Sequence, residues 1–314
     1  WTSADSLGYG TSRRCLSVRF FWLLFFVAHP VHAARSEAAA RSIEVHGHRG
    51  ARAVRPENTL PAFEYALRAG VDVLELDLAV TKDDVVVVSH DPHVNPELCE
   101  AADGRKLVPP PAIRELTLAQ LKTFDCGGKK HPRFPKQEPV KNTPIPTLEE
   151  VFASVRSSAH PAAKVVRFNI ETKIVPRAVG RLMPEPGAFA KLVVDVVRKA
   201  GFESRVIVQS FDHRSLVAVR KLAPKMRIAA LLAENFPDWE ALVRKLRPDF
   251  LSPNVDWLTP EAVRKVQALG VQVVPWTLND AEQWDYAIAS GVDGIISDDP
   301  EPLLAYLRER GKHR

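Results

Sequence analysis

Eight short apolar runs, alternating with stretches of helical periodicity, constrain the fold of this 314-residue chain more than any other feature. The pattern predicts strands over 43–46, 73–78, 165–170, 205–209, 227–232, 250–253, 271–276 and 294–297, with helical stretches such as 188–200, 239–246 and 260–269 between them. The helix after the first strand has clear punctuation: Asn58 or Thr59 as N-cap, Pro61 in the first turn, Leu60, Phe63 and Leu67 on one face and Gly70 at the end. Strand–helix alternation of this kind builds a parallel sheet, and eight such units close an α/β barrel of the TIM (β/α)8 type. A ninth apolar run, Val85-Val86-Val87-Val88, follows the second strand after only Thr81-Lys82-Asp83-Asp84. A parallel crossover needs roughly a dozen residues, so this run is expected to return antiparallel as a hairpin arm.

Two segments depart from the pattern. Residues 92–146 carry Pro109-Pro110-Pro111, Pro132, Pro135, Pro139, Pro144 and Pro146 together with Gly127-Gly128, a density that excludes long regular elements. They are expected to form an insertion after the hairpin, either acting as a lid and bearing on substrate selectivity or lying as a passive surface loop. Residues 1–33 have the layout of a secretory signal peptide. Arg13, Arg14 and Arg19 precede the apolar run Phe20–Ala28, and Val31-His32-Ala33 offers a cleavage site. The run is shorter than the roughly 20 residues a membrane span requires, although an uncleaved anchor is the other reading of the same residues. Cleavage leaves a barrel domain over 34–314. It removes three arginines and one aspartate, lowering the formal net charge from +5 to +3. Without a dense Lys/Arg stripe, that charge is no nucleic-acid footprint. Export to the periplasm or the medium would place Cys99 and Cys126 in an oxidising compartment, where they either pair as a disulfide or remain two buried thiols.

The chemistry collects at strand ends, where barrel active sites are built. Val73-Leu74-Glu75-Leu76-Asp77-Leu78 puts Glu75 and Asp77 on one face, opposite three leucines. Two acids on an apolar strand call for positive charge between them, either a divalent cation or a pair of basic side chains. The third strand adds Glu171 and Lys173, again on one face. The first ends in His48-Arg49-Gly50, the hairpin arm in His90-Asp91, the fourth in Gln209-Ser210-Phe211, and the seventh in Trp276-Thr277-Leu278-Asn279. Three carboxylates without His or Cys among them suit a hard, oxygen-seeking ion such as Ca²⁺ or Mg²⁺. Arg49 and Lys173 are fixed cations able to neutralise a phosphate, and His48 and His90 can exchange protons near neutral pH. Together they suit transesterification at a phosphodiester, with one group deprotonating the attacking hydroxyl and another protonating the leaving oxygen.

The ordered set His48-Arg49-Gly50, Pro56-Glu57-Asn58-Thr59, Glu75-Leu76-Asp77, His90-Asp91 and Glu171-Thr172-Lys173 resembles the glycerophosphodiester phosphodiesterases, the exported bacterial members among them, from about residue 43 to 300. The resemblance implies cleavage of glycerophosphodiesters to glycerol 3-phosphate and an alcohol, with one divalent cation, Ca²⁺ or Mg²⁺. It implies His48 and His90 as the acid–base pair, Glu75, Asp77 and Glu171 as metal ligands, and Arg49 and Lys173 as holders of the phosphate. It further implies that the glycerol 2-hydroxyl, activated by one histidine and the metal, attacks phosphorus to give a cyclic phosphate that water then opens. The alternative is a phospholipase D-like or phospholipase C-like enzyme acting on (lyso)phospholipid. The large apolar residues of the insertion, mainly Phe124 and Phe134, are sparse for that role. A barrel that only binds a phosphorylated ligand is a third reading, but it has no need of both histidines.

Other residues carry weaker expectations. Trp276 either stacks on the substrate or packs in the core. Glu57 supports the loop beside His48 or reaches the metal. Asp293 and Asp298 either support the site from behind or cap, with capping the favoured expectation, and His93, His131 and His160 are expected to be solvated.

Overall fold

The computed structural model describes residues 42–235 and 238–314; the leader pattern of residues 1–33 lies outside them. The alternation predicted from the sequence is realised as a barrel of parallel strands. In chain order these are Glu44–Gly47, Val73–Val80, Arg167–Thr172, Val206–Ser210, Arg227–Leu232, Phe250–Pro253, Gln272–Val273 and Gly294–Ser297. The first seven pair in parallel in chain order, and the first also pairs with the eighth. The remaining seam, between seventh and eighth, is joined by hydrogen bonds from Asp293 N to Val273 O (2.9 Å), Ile296 N to Pro275 O (3.1 Å) and Leu278 N to Ile296 O (3.0 Å). The run Val86–Val88 pairs antiparallel with the end of the second strand, Leu78 opposite Val88.

Boundaries shifted where packing overrode periodicity. The third strand starts two residues later than its apolar run and extends to Thr172, because Val165 is left exposed and Val166 is the first buried position. The seventh is regular over only two residues, although Val274 N and Trp276 N still donate to Leu251 and Pro253. The first helix, Leu60–Ala69, is capped by the Thr59 hydroxyl and closed by Gly70 in the left-handed region.

Side-chain alternation sorts the barrel into layers. Outward residues such as Leu74, Leu76, Leu78, Phe168 and Ile170 join the main core under the helices. Inside, the wall made by strands four to eight is apolar apart from Gln209, with Ile207, Ala229, Phe250, Val274 and Ile296 packed together against Trp276. The wall made by strands one to three carries His46, Glu75, Asp77, Asn169 and Glu171, all buried. Asp293, expected to cap, instead accepts from Val273 N and Gln267 Nε2, both at 2.8 Å, and so ties the last helix–strand unit to the seam.

The insertion contains only short elements, as its prolines require. Strands Glu100–Ala101 and Phe124–Asp125 pair, Ile113–Glu115 forms a 3₁₀ turn, and Leu118–Leu121 forms one helical turn with a capping box. It has its own small core around Val94, Leu107, Ile113, Leu121 and Phe124. Cys99 and Cys126 are joined in a disulfide across a sequence separation of 27. A loop of that length is worth about 3.5 kcal/mol on a chain-entropy basis.

Under the third strand, Phe168 meets Phe152 edge-on at 4.9 Å and Phe202 at 5.3 Å, while Phe152 and Phe202 stack at 4.8 Å. Phe168 lies between Arg167 and Asn169 on the strand that presents Glu171, so this cluster fixes the level of the strand. Phe168→Ala is expected to cost about 3–5 kcal/mol of unfolding free energy in chemical denaturation; a loss below about 1 kcal/mol would mean that the cluster does not hold the strand.

Candidate active site

The turn after the first strand is the tightest piece of local geometry. A Cβ on Gly50 would lie 2.7 Å from the backbone of Ala62, and its φ is +84°, so glycine is required. Gly50 N donates to Gly47 O and to Glu75 O, which draws the turn over the second strand. Arg49 also adopts a positive φ, +50°, which an arginine takes only when its surroundings impose it. Those surroundings are explicit. Arg49 N donates to Glu75 Oε2 (2.8 Å), its Nη1 donates to Glu57 Oε1 (2.7 Å), and its Nε lies 3.1 Å from Asp77 Oδ2. Asn58, at φ +57°, donates to Asp77 Oδ2 (2.9 Å) and accepts from Asp77 N (3.2 Å). The Pro56-Glu57-Asn58-Thr59 stretch is thus a bracket joining the first turn to the second strand.

Glu75, Asp77 and Glu171 converge as their alternation predicts. Asp77 is opposite Glu171 in the strand register, and one oxygen from each of the three acids lies within 4.8 Å of the others. All three are buried. Burial, then the neighbouring Asp77, pushes the Glu75 carboxyl well above its usual range. Burial likewise raises Glu171, although Lys173 opposes the shift. For Asp77 the burial cost is outweighed by Arg49 and Lys173, and its pKa falls. Lys173 Nζ lies 2.9 Å from Glu171 Oε1 and 3.7 Å from Asp77 Oδ1. Two cations against three clustered acids leave a negative site made of oxygen donors, which fits a hard divalent ion. Both answers anticipated for the acid pair are therefore present: basic partners, and a donor set suited to a cation.

His48, Arg49, Glu75, Asp77, His90, Glu171, Lys173 and Trp276 all line one cleft of about 270 Å³. Every residue assigned to the site from the sequence is brought there. Trp276 lines the cleft, donating its indole N–H to Ser252 O (2.9 Å) while its ring meets Phe211 edge-on at 5.5 Å. Glu57 stays outside the acid cluster and acts as the partner of Arg49.

Several residues carry more than sequence reasoning assigned them. Asp298, expected to cap the last helix, does not: Asp299 occupies the cap position, while Asp298 Oδ1 contacts His48 Nδ1 at 2.5 Å and Arg52 Nε at 2.7 Å. Gln209 donates to Glu75 Oε1 (2.6 Å) and accepts from Asn169 (2.9 Å), so an amide pair orients the first acid. His131 is not solvated. It is buried, with Nε2 3.8 Å from Glu57 Oε2 and its ring 4.7 Å from that of Phe134, which in turn lies beneath the Arg52 guanidinium. His160 caps a 3₁₀ turn by accepting from Ala162 N. Strand-end position could have flagged Asp298; the contact of His131 with Glu57 could not be read locally, because Glu57 lies in a loop some seventy residues earlier.

Replacing one acid tests the cation site directly. Glu75→Gln is expected to weaken Ca²⁺ or Mg²⁺ binding by more than about tenfold in isothermal titration calorimetry; unchanged affinity would remove Glu75 from the ligand set.

Comparison with known proteins agrees with this geometry. Residues 48–302 match the model of the glycerophosphoryl diester phosphodiesterase family. A glycerophosphodiester phosphodiesterase of Caldanaerobacter subterraneus subsp. tengcongensis is 34% identical over 264 residues, covering 84% of this chain and 97% of that protein. A crystal structure from Silicibacter pomeroyi, described as a candidate glycerophosphoryl diester phosphodiesterase, superposes with a TM-score of 0.79 at 29% identity, covering 87% and 95% of the two chains. Human lysophospholipase D GDPD1 is 26% identical over 278 residues, covering 83% of this chain and 84% of that protein. The turn, the bracket, the acid cluster and the two cleft histidines all fall within the matched span, and the chain belongs to the glycerophosphoryl diester phosphodiesterase family.

Proposed function

We propose that this enzyme hydrolyses glycerophosphodiesters to glycerol 3-phosphate and an alcohol, with His48 and His90 exchanging protons across a cyclic phosphate intermediate. The observation that carries this reading is the convergence of two imidazoles, two cations and three acids on one cleft. Arg49 and Lys173, cations on the cleft lining, would neutralise the phosphate. In the first half-reaction one imidazole takes the proton of the glycerol 2-hydroxyl as its oxygen bonds to phosphorus. The other imidazole gives a proton to the departing alcohol oxygen. In the second half the roles reverse: a water proton goes to the histidine that acted as acid, and the ring opens as O2 regains a proton from the other. Glu75, Asp77 and Glu171 would hold Ca²⁺ or Mg²⁺, which when bound supplies Lewis-acid polarisation of a phosphoryl oxygen. Phe211, Leu231, Trp276 and Ile296 form the apolar side of the cleft, suited to the carbon skeleton of glycerol or the alcohol.

A second reading, lysophospholipid as substrate, draws on the named activity of the human relative and on Phe211, whose ring is 37% exposed beside the cleft. We place the enzyme outside the cytoplasm, in the periplasm or medium, on the strength of the leader pattern and the Cys99–Cys126 disulfide.

Turnover of glycerophosphocholine and lysophosphatidylcholine separates the two readings. Release of glycerol 3-phosphate from the former is expected, and exclusive cleavage of the latter would overturn it. His48→Ala and His90→Ala should each lower kcat by at least ~10²-fold, and a variant that keeps full turnover takes its histidine out of the chemistry. Chelation with EDTA should abolish activity and added Ca²⁺ or Mg²⁺ restore it; full activity after exhaustive chelation would dismiss the cation.

A further inference from the structure

The two cleft histidines are held very differently. His90 Nδ1 is 3.0 Å from the carboxylate of its own chain neighbour, Asp91, and both side chains are at least a third exposed. His48 is the more enclosed of the two, its side chain 14% exposed, and it is held by the far end of the barrel sequence. Asp298 Oδ1 lies 2.5 Å from its Nδ1, and His48 N donates to Ser297 O at 2.9 Å. Asp298 is itself immobilised. Asn279 donates to its Oδ2 and accepts from its backbone N, each at 2.9 Å, and Ser297 Oγ donates to the same Asn279 oxygen at 3.2 Å. Arg52 closes the other side, its Nε 2.7 Å from Oδ1, and Ala53 N donates to Asp298 O at 3.0 Å. A carboxylate only accepts, so the ring nitrogen facing it carries the hydrogen. The opposite nitrogen, Nε2, lies on the cleft side, 3.9 Å from Glu75 Oε2.

We propose that Asp298, braced by Asn279 and Arg52, is a positioning residue that fixes the orientation and tautomer of His48, so that Nδ1 bears the proton and Nε2 presents its lone pair to the cleft. The kinetic part of this assignment rests on the phosphodiesterase reading above; the tautomer does not. Asymmetry between the histidines follows. His48 is preset before substrate arrives, whereas the more open His90 has, among the described residues, its neighbour Asp91 as hydrogen-bond partner.

The experiment compares Asp298→Asn with the full-length, cation-loaded protein. Asparagine keeps the shape but can turn a donor toward Nδ1, favouring the wrong tautomer. On glycerophosphocholine, kcat is expected to fall by ~10²–10⁴-fold, the scale seen when an amide replaces the acid that orients a catalytic imidazole, with KM changed by less than about threefold. Asp299→Asn removes a charge one residue away and should leave kcat within about twofold. A loss confined to KM, an equal loss in Asp299→Asn, or full activity in Asp298→Asn would overturn the proposal. Histidine-¹⁵N spectra of the wild type, with His48 assigned through His48→Ala, supply a readout independent of substrate. They should show a protonated Nδ1 and an unprotonated Nε2, and the reverse pattern would overturn the assignment even if Asp298→Asn does not fold. Failure of the wild type to turn over any glycerophosphodiester would instead refute the functional reading and leave the spectra to decide the tautomer.

Discussion

The structure turns on keeping three carboxylates together where water is scarce. Glu75, Asp77 and Glu171 are buried on the inner wall of the barrel, and each would cost several kcal/mol there without compensation. The surrounding geometry supplies it: Arg49 bent into a positive φ, Lys173 on the same strand face as Glu171, the Arg49 amide on one oxygen of Glu75 and Gln209 on the other. Compensation stops short of neutrality, which leaves Glu75 and Glu171 with raised pKa values and the site with a demand for further positive charge. A fold that only had to be stable would replace such a cluster with packed apolar groups.

The division of the barrel interior gives this cluster its chemical setting. Strands four to eight line the opposite wall with Ile207, Ala229, Phe250, Val274 and Ile296, topped by Trp276 and Phe211. The cleft therefore has one charged wall and one apolar wall. The apolar wall also lowers the local dielectric, which strengthens the pairing between Arg49, Lys173 and whatever anion lies between them.

Around this centre the proline-rich insertion behaves as a brace. Gln137 donates to Arg52 O, Glu138 N to Val54 O, and Phe134 packs against the Arg52 guanidinium. His131 stands beside Glu57, the partner of Arg49. The insertion thus grips the loop that carries both Arg49 and Arg52, and its own core and disulfide give it the rigidity to do so.

Most of the barrel and of its site were legible in the sequence because both depend on short-range periodicity. Period-two alternation puts Glu75 and Asp77 on one face whatever the rest of the chain does, and βα spacing counts the strands. What only the tertiary structure decided is which distant groups meet: Asp298 against His48 across 250 positions, His131 against Glu57, Gln209 against Glu75, and Asp293 across the closing seam. An aspartate before a helix reads locally as a cap because that is its commonest partner. Barrel closure brings the end of the eighth strand beside the first, and so gives Asp298 a stronger one.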